Sequence, residues 1–290
     1  MAADSRIADL LSEGMKALAA AGIGAPAHEA RMLLGMAAKV PLAVMIGFPE
    51  RSVDEAAAAA YRALIARRAD REPVSHLVGE REFWSLPFMV SRDVLDPRPD
   101  SEAVIEAVLE ALPDRARGLR LLDLGVGSGC LLLTLLRELP AAVGVGVDIS
   151  QVALAMAQRN ALRLQVADRA TFHLGNWMDA LPADAGKFDL IVSNPPYIRS
   201  EEIATLEPEV TRHEPRLALD GGMDGLDAYR KLASVLAQHL APNGLVALEI
   251  GIGQAESVTA LMTAAGLVPA GMRLDLARRE RCLLFRLDLI

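Results

Sequence analysis

Apolar positions recur at one period in the first part of this 290-residue chain and at another in the rest. Ile7, Leu10, Leu11, Met15 and Leu18 keep the i, i+3, i+4 spacing of an amphipathic helix, which Gly22 and Gly24 should end. A second helix is expected from Pro26 through Leu33 and Leu34, with proline in its first turn. A short apolar piece follows at 42–46. Ser52-Val53-Asp54-Glu55 has the capping-box pattern and should open an alanine-rich helix that stops before Pro73. The outer face of that helix carries Arg62, Arg67, Arg68 and Arg71, either as a solvated basic face or as a docking surface. Between 76 and 100, Phe83, Trp84, Phe88, Val90 and Val94 alternate loosely with polar residues. This segment reads as a hairpin-like linker that ends in the stiff Asp96-Pro97-Arg98-Pro99.

From Ser101 the chain alternates helix and strand. Val104, Val108 and Leu109 mark a helix, and apolar runs at 119–124, 143–147, 170–174 and 189–193 read as buried strands. Further strands are expected at 244–249 and near 267–272 and 282–287, with helices at about 151–162, 224–241 and 254–265. The order predicts an α/β fold with a doubly wound, mostly parallel seven-stranded sheet, preceded by a small N-terminal helical domain. The expected divisions are 1–75 helical, 76–100 linker and 101–290 the α/β domain.

Chemistry gathers where strands end, because ligands of open parallel sheets bind at the C-terminal strand edge. Asp189-Leu190-Ile191-Val192-Ser193 runs into Asn194-Pro195-Pro196-Tyr197, and two prolines cannot continue a ladder. Asn194 offers a carboxamide, Pro195 a carbonyl and Tyr197 an aromatic face. Together they suit a planar nitrogen bearing two N–H bonds, such as an amide or an exocyclic amine, although Asn-Pro and Pro-Pro also make ordinary turns. The strand at 119–124 runs into Gly125-Val126-Gly127-Ser128-Gly129-Cys130, a turn that lets a ligand approach backbone at a helix N-terminus. Asp148 ends the next strand about 20 residues on, placed to accept the ribose hydroxyls of an adenosine-type cofactor or, more simply, to cap the following helix. Trp177, after the third strand, can pack on a purine or close the core. Cys130 reads as a small hydrophobe rather than a nucleophile. The long segment 198–225 carries Glu201, Glu202, Glu207, Glu209 and Glu214, and loops of that length usually serve function.

Composition narrows the choice. A net charge of −8 argues against affinity built on phosphate neutralisation. Two cysteines and five histidines without metal-ligand spacing make a structural zinc site unexpected, so no metal is assigned. Asp4, Arg6, Asp9 and Glu13 interrupt any signal-peptide core, and no run approaches a membrane span. A cytoplasmic protein with no membrane association is expected.

Asp-Leu-Gly-Val-Gly-Ser-Gly-Cys at 123–130, Val-Asp-Ile-Ser at 147–150 and Asn-Pro-Pro-Tyr at 194–197 resemble class I S-adenosylmethionine-dependent methyltransferases acting on nitrogen. The run 214–226, Glu-Pro-Arg-Leu-Ala-Leu-Asp-Gly-Gly-Met-Asp-Gly-Leu, and Arg-Pro-Asp-Ser-Glu at 98–102 are similar to the bacterial release-factor glutamine N5-methyltransferase family. The resemblance implies S-adenosylmethionine as cofactor, contacted by Gly125, Val126, Gly127, Ser128, Gly129, Asp148, Trp177 and Asn194. It also implies that Asn194, Pro195, Pro196 and Tyr197 hold a glutamine amide, while the helical domain docks a peptide chain release factor in translation termination. On that basis Asn194, Pro195 and Tyr197 are the expected catalytic residues: the Asn194 oxygen and Pro195 carbonyl each accept one amide N–H, and Tyr197 packs on the amide plane. A monomer with no direct nucleic-acid partner is expected. Asp96, Asp100-Ser101 and Ala277 depart from that family's usual apolar residue, Glu-Thr and glycine. An adenine-N6 nucleic-acid methyltransferase and a non-enzymatic cofactor-binding protein are the alternatives.

Overall fold

A computed structural model describes residues 5–182 and 184–287. The chain forms two compact units. One comprises Met1–Gly79 with Glu207–His213, the other Glu80–Leu206 with Glu214–Ile290.

The first unit is helical: Ile7–Ala20, Pro26–Ala38, Leu42–Gly47, Glu55–Ala69 and Val74–Val78. Ile7, Leu10, Leu18, Leu33, Leu34 and Ile65 meet around the buried ring of Tyr61. Gly14 makes room for that ring, since a Cβ there would lie 1.9 Å from the Tyr61 hydroxyl oxygen. The cap of Glu55–Ala69 is Asp54, whose carboxylate accepts the Ala57 N–H at 2.9 Å. Ser52-Val53 instead pairs antiparallel with Ser5-Arg6, so the capping-box reading is shifted by two residues. The basic face is not uniformly solvated either. Arg68 is buried and reaches Glu29 at 2.5 Å and Glu209 at 3.0 Å, while Arg71 reaches Glu209 at 2.8 Å. Glu209 belongs to the helix Pro208–His213, which the first unit borrows from far along the chain.

The second unit is a seven-stranded sheet with helices on both faces. Its strands are β1 Arg120–Leu124, β2 Val143–Asp148, β3 Ala170–Leu174, β4 Phe188–Ser193, β5 Leu240–Glu249, β6 Leu267–Leu274 and β7 Glu280–Leu287. The spatial order is β3-β2-β1-β4-β5-β7-β6. All neighbours are parallel except β7, which runs antiparallel to both β5 and β6. Because the order reverses between β1 and β4, their C-terminal tips open a crevice between connections leaving on opposite faces. The central strands carry apolar residues towards both faces: Leu121, Leu190, Val192, Leu245 and Ala247 in one core, and Leu122, Ile191, Val246 and Leu248 in the other. The hairpin Glu80–Phe83 and Leu86–Met89 belongs to this unit, with Phe83 and Phe88 in edge-to-face contact at 6.1 Å. The helix expected over 224–241 is broken into Asp227–Ala233 and Leu236–His239. Ser234 turns its hydroxyl back onto the Lys231 carbonyl at 2.7 Å, a local bond that competes with helix continuation. No helix among the described residues is long and apolar enough to cross a membrane.

Candidate functional site

The crevice at the β1 and β4 tips is a cavity of about 430 Å³ within the second unit. One side is the turn after β1. Gly125, Gly127 and Gly129 have φ of 79°, 54° and 85°, a left-handed series that residues with a Cβ rarely adopt. The N–H groups of Gly125 and Val126 both reach the Val147 carbonyl at 2.9 Å, which ties the turn to β2. Nothing lies within 4 Å of a Cβ built at Gly127, so this backbone faces open cavity. Gly129 faces the other way: its Cβ would meet Leu133 at 2.7 Å, and the residue does not line the cavity. Asn160, fully buried, braces the turn from behind by donating to the Ser128 carbonyl at 2.8 Å and the Met89 carbonyl at 3.0 Å.

Asp148 lines the cavity with a fixed carboxylate. Oδ2 accepts the Gly127 N–H and Oδ1 the Ser150 N–H, both at 2.9 Å. Each oxygen keeps a further acceptor site. Asp148 is not the helix cap, because Ser150 fills that role by accepting from Ala153 N–H at 3.2 Å. Trp177, at φ 51°, packs its half-buried ring beside the core and forms part of the cavity wall. Asp123, beneath the turn, is buried and accepts the Leu132 N–H with Oδ2 at 3.2 Å, while Oδ1 has no partner. Burial pushes its carboxyl up to about 7. The Cys130 thiol is pushed up to about 12, again chiefly by burial, so it offers no thiolate nucleophile near neutrality.

The facing side is the segment after β4. Asn194 and Pro196 line the cavity, and with Gly125, Val126, Gly127, Ser128, Asp148 and Trp177 they bring most of the expected site residues to one place. Pro195 and Tyr197 do not line it. Tyr197 turns its hydroxyl to Glu249 Oε1 at 3.2 Å, and burial raises its pKa. Its ring packs beside Gly251, and its carbonyl accepts from Gln254 Nε2 at 3.0 Å. The same Gln254 amide donates to the Gly225 carbonyl at 3.2 Å, and its oxygen accepts the Gly251 N–H at 2.9 Å. The 214–226 run lies alongside: Ile198 bridges Asp220, and Gly221 donates to the Ile198 carbonyl at 2.8 Å. Gly221 and Gly225 are needed there, because a Cβ on either would lie under 3 Å from Tyr197 backbone.

The Asn194 carboxamide donates through Nδ2 to the Ser101 hydroxyl at 3.4 Å, which leaves Oδ1 as an acceptor. Ser101, Arg98, Asp123 and Asn176 meet the cavity without having been singled out residue by residue in the sequence. Ser101 and Asn194 lie 93 residues apart, so no local pattern could pair them. Arg98 pairs with Glu214, whose carboxyl is pushed up to about 7 by burial. The unusual Asp96 is buried, with Arg81 at 3.9 Å.

Family models and relatives match most of the chain. Residues 9–79 match the model described as the PrmC N-terminal domain, and residues 80–223 match the methyltransferase small domain. The chain is 48% identical to the release factor glutamine methyltransferase of Rhodospirillum rubrum, over 96% of its own length and 84% of that protein's. It is 47% identical to the protein of the same name from Caulobacter vibrioides, over 91% and 90%. Among solved structures, a methyltransferase from Pyrococcus furiosus superposes with a TM-score of 0.54 at 17% identity. The match covers 76% of this chain and 97% of that one, a likeness of fold.

Proposed function

The chain belongs to the release factor glutamine methyltransferase family, and from that premise we propose that it methylates the side-chain amide nitrogen of the glutamine in the Gly-Gly-Gln motif of peptide chain release factors, using S-adenosylmethionine. The observation that carries this reading is that Asn194 shares one cavity with the left-handed glycine turn and Asp148. The cofactor fits the residues present. Gly127 leaves open space where a Cβ would stand, the Asp148 carboxylate is held with acceptor capacity to spare for vicinal hydroxyls, and the orphaned Asp123 Oδ1 lies at the same wall. Gly125, Val126, Gly127, Ser128, Asp148 and Trp177 would hold it, with Gly129 shaping the turn from behind and Asn194 facing it across the same cavity.

S-adenosylmethionine supplies a methyl group on a sulfonium, already a strong donor, so the difficulty lies with the acceptor. An amide nitrogen is a poor nucleophile because its lone pair is delocalised into the carbonyl. Asn194 Oδ1 accepts one N–H of the substrate amide, which turns the nitrogen to the methyl and stabilises the positive charge developing on it, while Pro195, which does not line the cavity, fixes the backbone that aims Asn194. Tyr197 acts at one remove, fastening the box through Glu249 and Gln254 rather than stacking on the amide. The cavity wall also weighs against a nucleic-acid substrate: Asp93, Asp96, Asp123, Asp148, Asp220 and Asp227 line it, against the cations Arg98 and Lys231. The test is mass spectrometry of a purified release factor after incubation with the protein and S-adenosylmethionine. A 14-dalton gain, about one methylene, on the Gly-Gly-Gln glutamine is expected; methylation of DNA adenine instead would reverse the choice.

A further inference from the structure

Beside the Asn194 box, three turns each hold a large apolar side chain out in solvent. Met223 is 91% exposed, Ile252 66% and Leu276 91%. Each stands at the second position of a four-residue turn closed by a main-chain hydrogen bond. Gly225 N–H reaches the Gly222 carbonyl at 3.4 Å, Gln254 N–H the Gly251 carbonyl at 3.2 Å, and Arg278 N–H the Asp275 carbonyl at 2.9 Å. Turn corners favour glycine, proline, asparagine, aspartate and serine, and nothing in turn geometry calls for Met, Ile or Leu. One exposed apolar residue needs no explanation; three at the same corner of linked turns do.

The turns form one surface. Gln254 ties the first two together: its Nε2 donates to the Gly225 carbonyl at 3.2 Å, and its Oε1 accepts the Gly251 N–H at 2.9 Å. Arg281 ties the third to the second, donating to the Ile250 carbonyl and to Asp275 Oδ2, both at 3.1 Å. Strand order sets this surface next to the substrate box. β4, β5 and β7 are neighbours, and β7 runs antiparallel to β5, so the β6–β7 turn and the end of β5 fall on the edge that carries Asn194. Adjacent strands lie about 4.8 Å apart, so the row begins one strand from Asn194. Gln254 Nε2 also donates to the Tyr197 carbonyl at 3.0 Å, which joins the row directly to the box. β1, β2 and β3, with the glycine turn and Asp148, lie in the other direction.

Resting on the function proposed above, we propose that Met223, Ile252 and Leu276 are the docking surface for the region of the release factor around its methylated glutamine. A glutamine side chain is short, so an amide that reaches Asn194 brings its own main chain down onto this edge. The glycine turn, Asp148 and Trp177 take up the cofactor side of the cavity, which leaves the β5–β7 side for the protein. The two glycines of the motif carry no side chains, so the apolar groups that meet the three turns flank the motif rather than belong to it. Exposed Arg278 and Arg279 stand beside Leu276, giving the apolar centre a charged margin, as interfaces have. Because Gln254 and Arg281 hold the turns before a partner arrives, little ordering is left to oppose binding.

The experiment uses the full-length protein, a purified release factor and S-adenosylmethionine. Steady-state kinetics give kcat and the KM for release factor, calorimetry gives Kd for release factor and for cofactor, and sedimentation gives the oligomeric state. The triple variant Met223→Ser, Ile252→Ser, Leu276→Ser should raise KM and Kd for the release factor about tenfold or more, as loss of clustered apolar anchors does. Its kcat at saturation, cofactor Kd and Tm should stay near wild type, since these side chains belong to neither the cavity wall nor the cores. Leu162→Ser, 70% exposed at the far end of the helix Gln151–Arg163, is the control and should change none of these constants. A triple variant with wild-type KM and Kd for the release factor overturns the proposal, as does one whose cofactor Kd or Tm moves with them. An equal loss in Leu162→Ser overturns it as well. A wild-type dimer that the triple variant dissociates assigns the surface to a second copy and also overturns it. Release-factor binding that depends on the three residues, with no methyl transfer by the wild type, upholds the docking surface and overturns the function alone.

Discussion

The tips of β1 and β2 present to the cavity a glycine backbone and one carboxylate pinned by backbone N–H groups, whereas the tip of β4 presents a side chain that bonds to another side chain. On the first side, Gly125 and Gly127 carry positive φ, the bonds to Val147 are main-chain bonds, and Asp148 is pinned by two N–H groups. On the second, Asn194 leans on Ser101, and Tyr197 on Glu249 and Gln254. A site made of backbone tolerates most side-chain change and depends on which positions lack a Cβ. A site made of side-chain bonds is exposed to every substitution and to pH. The division follows the chemistry: one side has to bind, while the other has to orient an amide to within a narrow cone.

The sharpest way to separate the two sides is Asn194→Ala. It removes an acceptor made only when the amide is in place, so kcat should fall by about 100-fold or more. Cofactor Kd, read by calorimetry, should stay near wild type. A variant keeping more than about a tenth of wild-type kcat, a loss under about 1.4 kcal/mol, would remove Asn194 from the chemistry. Asp148→Ala should show the opposite split, weakening cofactor binding by about tenfold or more, since bonds to a charged acceptor are worth about 1.5–3 kcal/mol. Turnover at saturating cofactor should suffer less. If both variants lower the same constant, the two sides are not functionally distinct.

The glycines offer a test internal to one side. Gly127→Ala and Gly129→Ala both impose a left-handed φ on alanine, at about 1–2 kcal/mol. Only Gly129→Ala also drives a Cβ to 2.7 Å from Leu133. Gly129→Ala should therefore lower Tm by the larger amount, measured calorimetrically, while Gly127→Ala should act mainly on cofactor affinity because its Cβ enters the cavity.

How much of this is legible in sequence follows the same line. Each of the seven strands lies within a few residues of its apolar run, and the glycine turn with Asp148 is local enough to be read from spacing. The Asn-Pro-Pro-Tyr box is equally legible as a string, but its support is not. Ser101, Glu249 and Gln254 reach it from 93, 52 and 57 residues away, and nothing local marks them as partners. Tyr197 illustrates the cost: its aromatic face suggests stacking on substrate, yet its hydroxyl is drawn inward to a carboxylate. In the first unit, Arg68 reads as surface because helix periodicity carries no information about Glu209, 141 residues away. Asp54 displaces Ser52 as cap because Ser52-Val53 is claimed by strand pairing.

The smallest expected effect concerns both sides at once. Each rests on a carboxyl that burial holds near 7, Asp123 under the glycine turn and Glu249 under the Asn194 box. Both are raised above the values they have in the unfolded chain, so between those values and neutrality the native state binds more protons than the unfolded state. Their contribution to stability is present in full below the unfolded pKa and is lost as pH rises through about 7. Glu214 shifts the same way. Tm should thus decline as pH rises from about 5 to about 8. Asp123→Asn and Glu249→Gln should each flatten part of the slope. Opposite behaviour, a Tm that climbs with pH over that interval, would mean that these carboxyls are ionised and paired when folded.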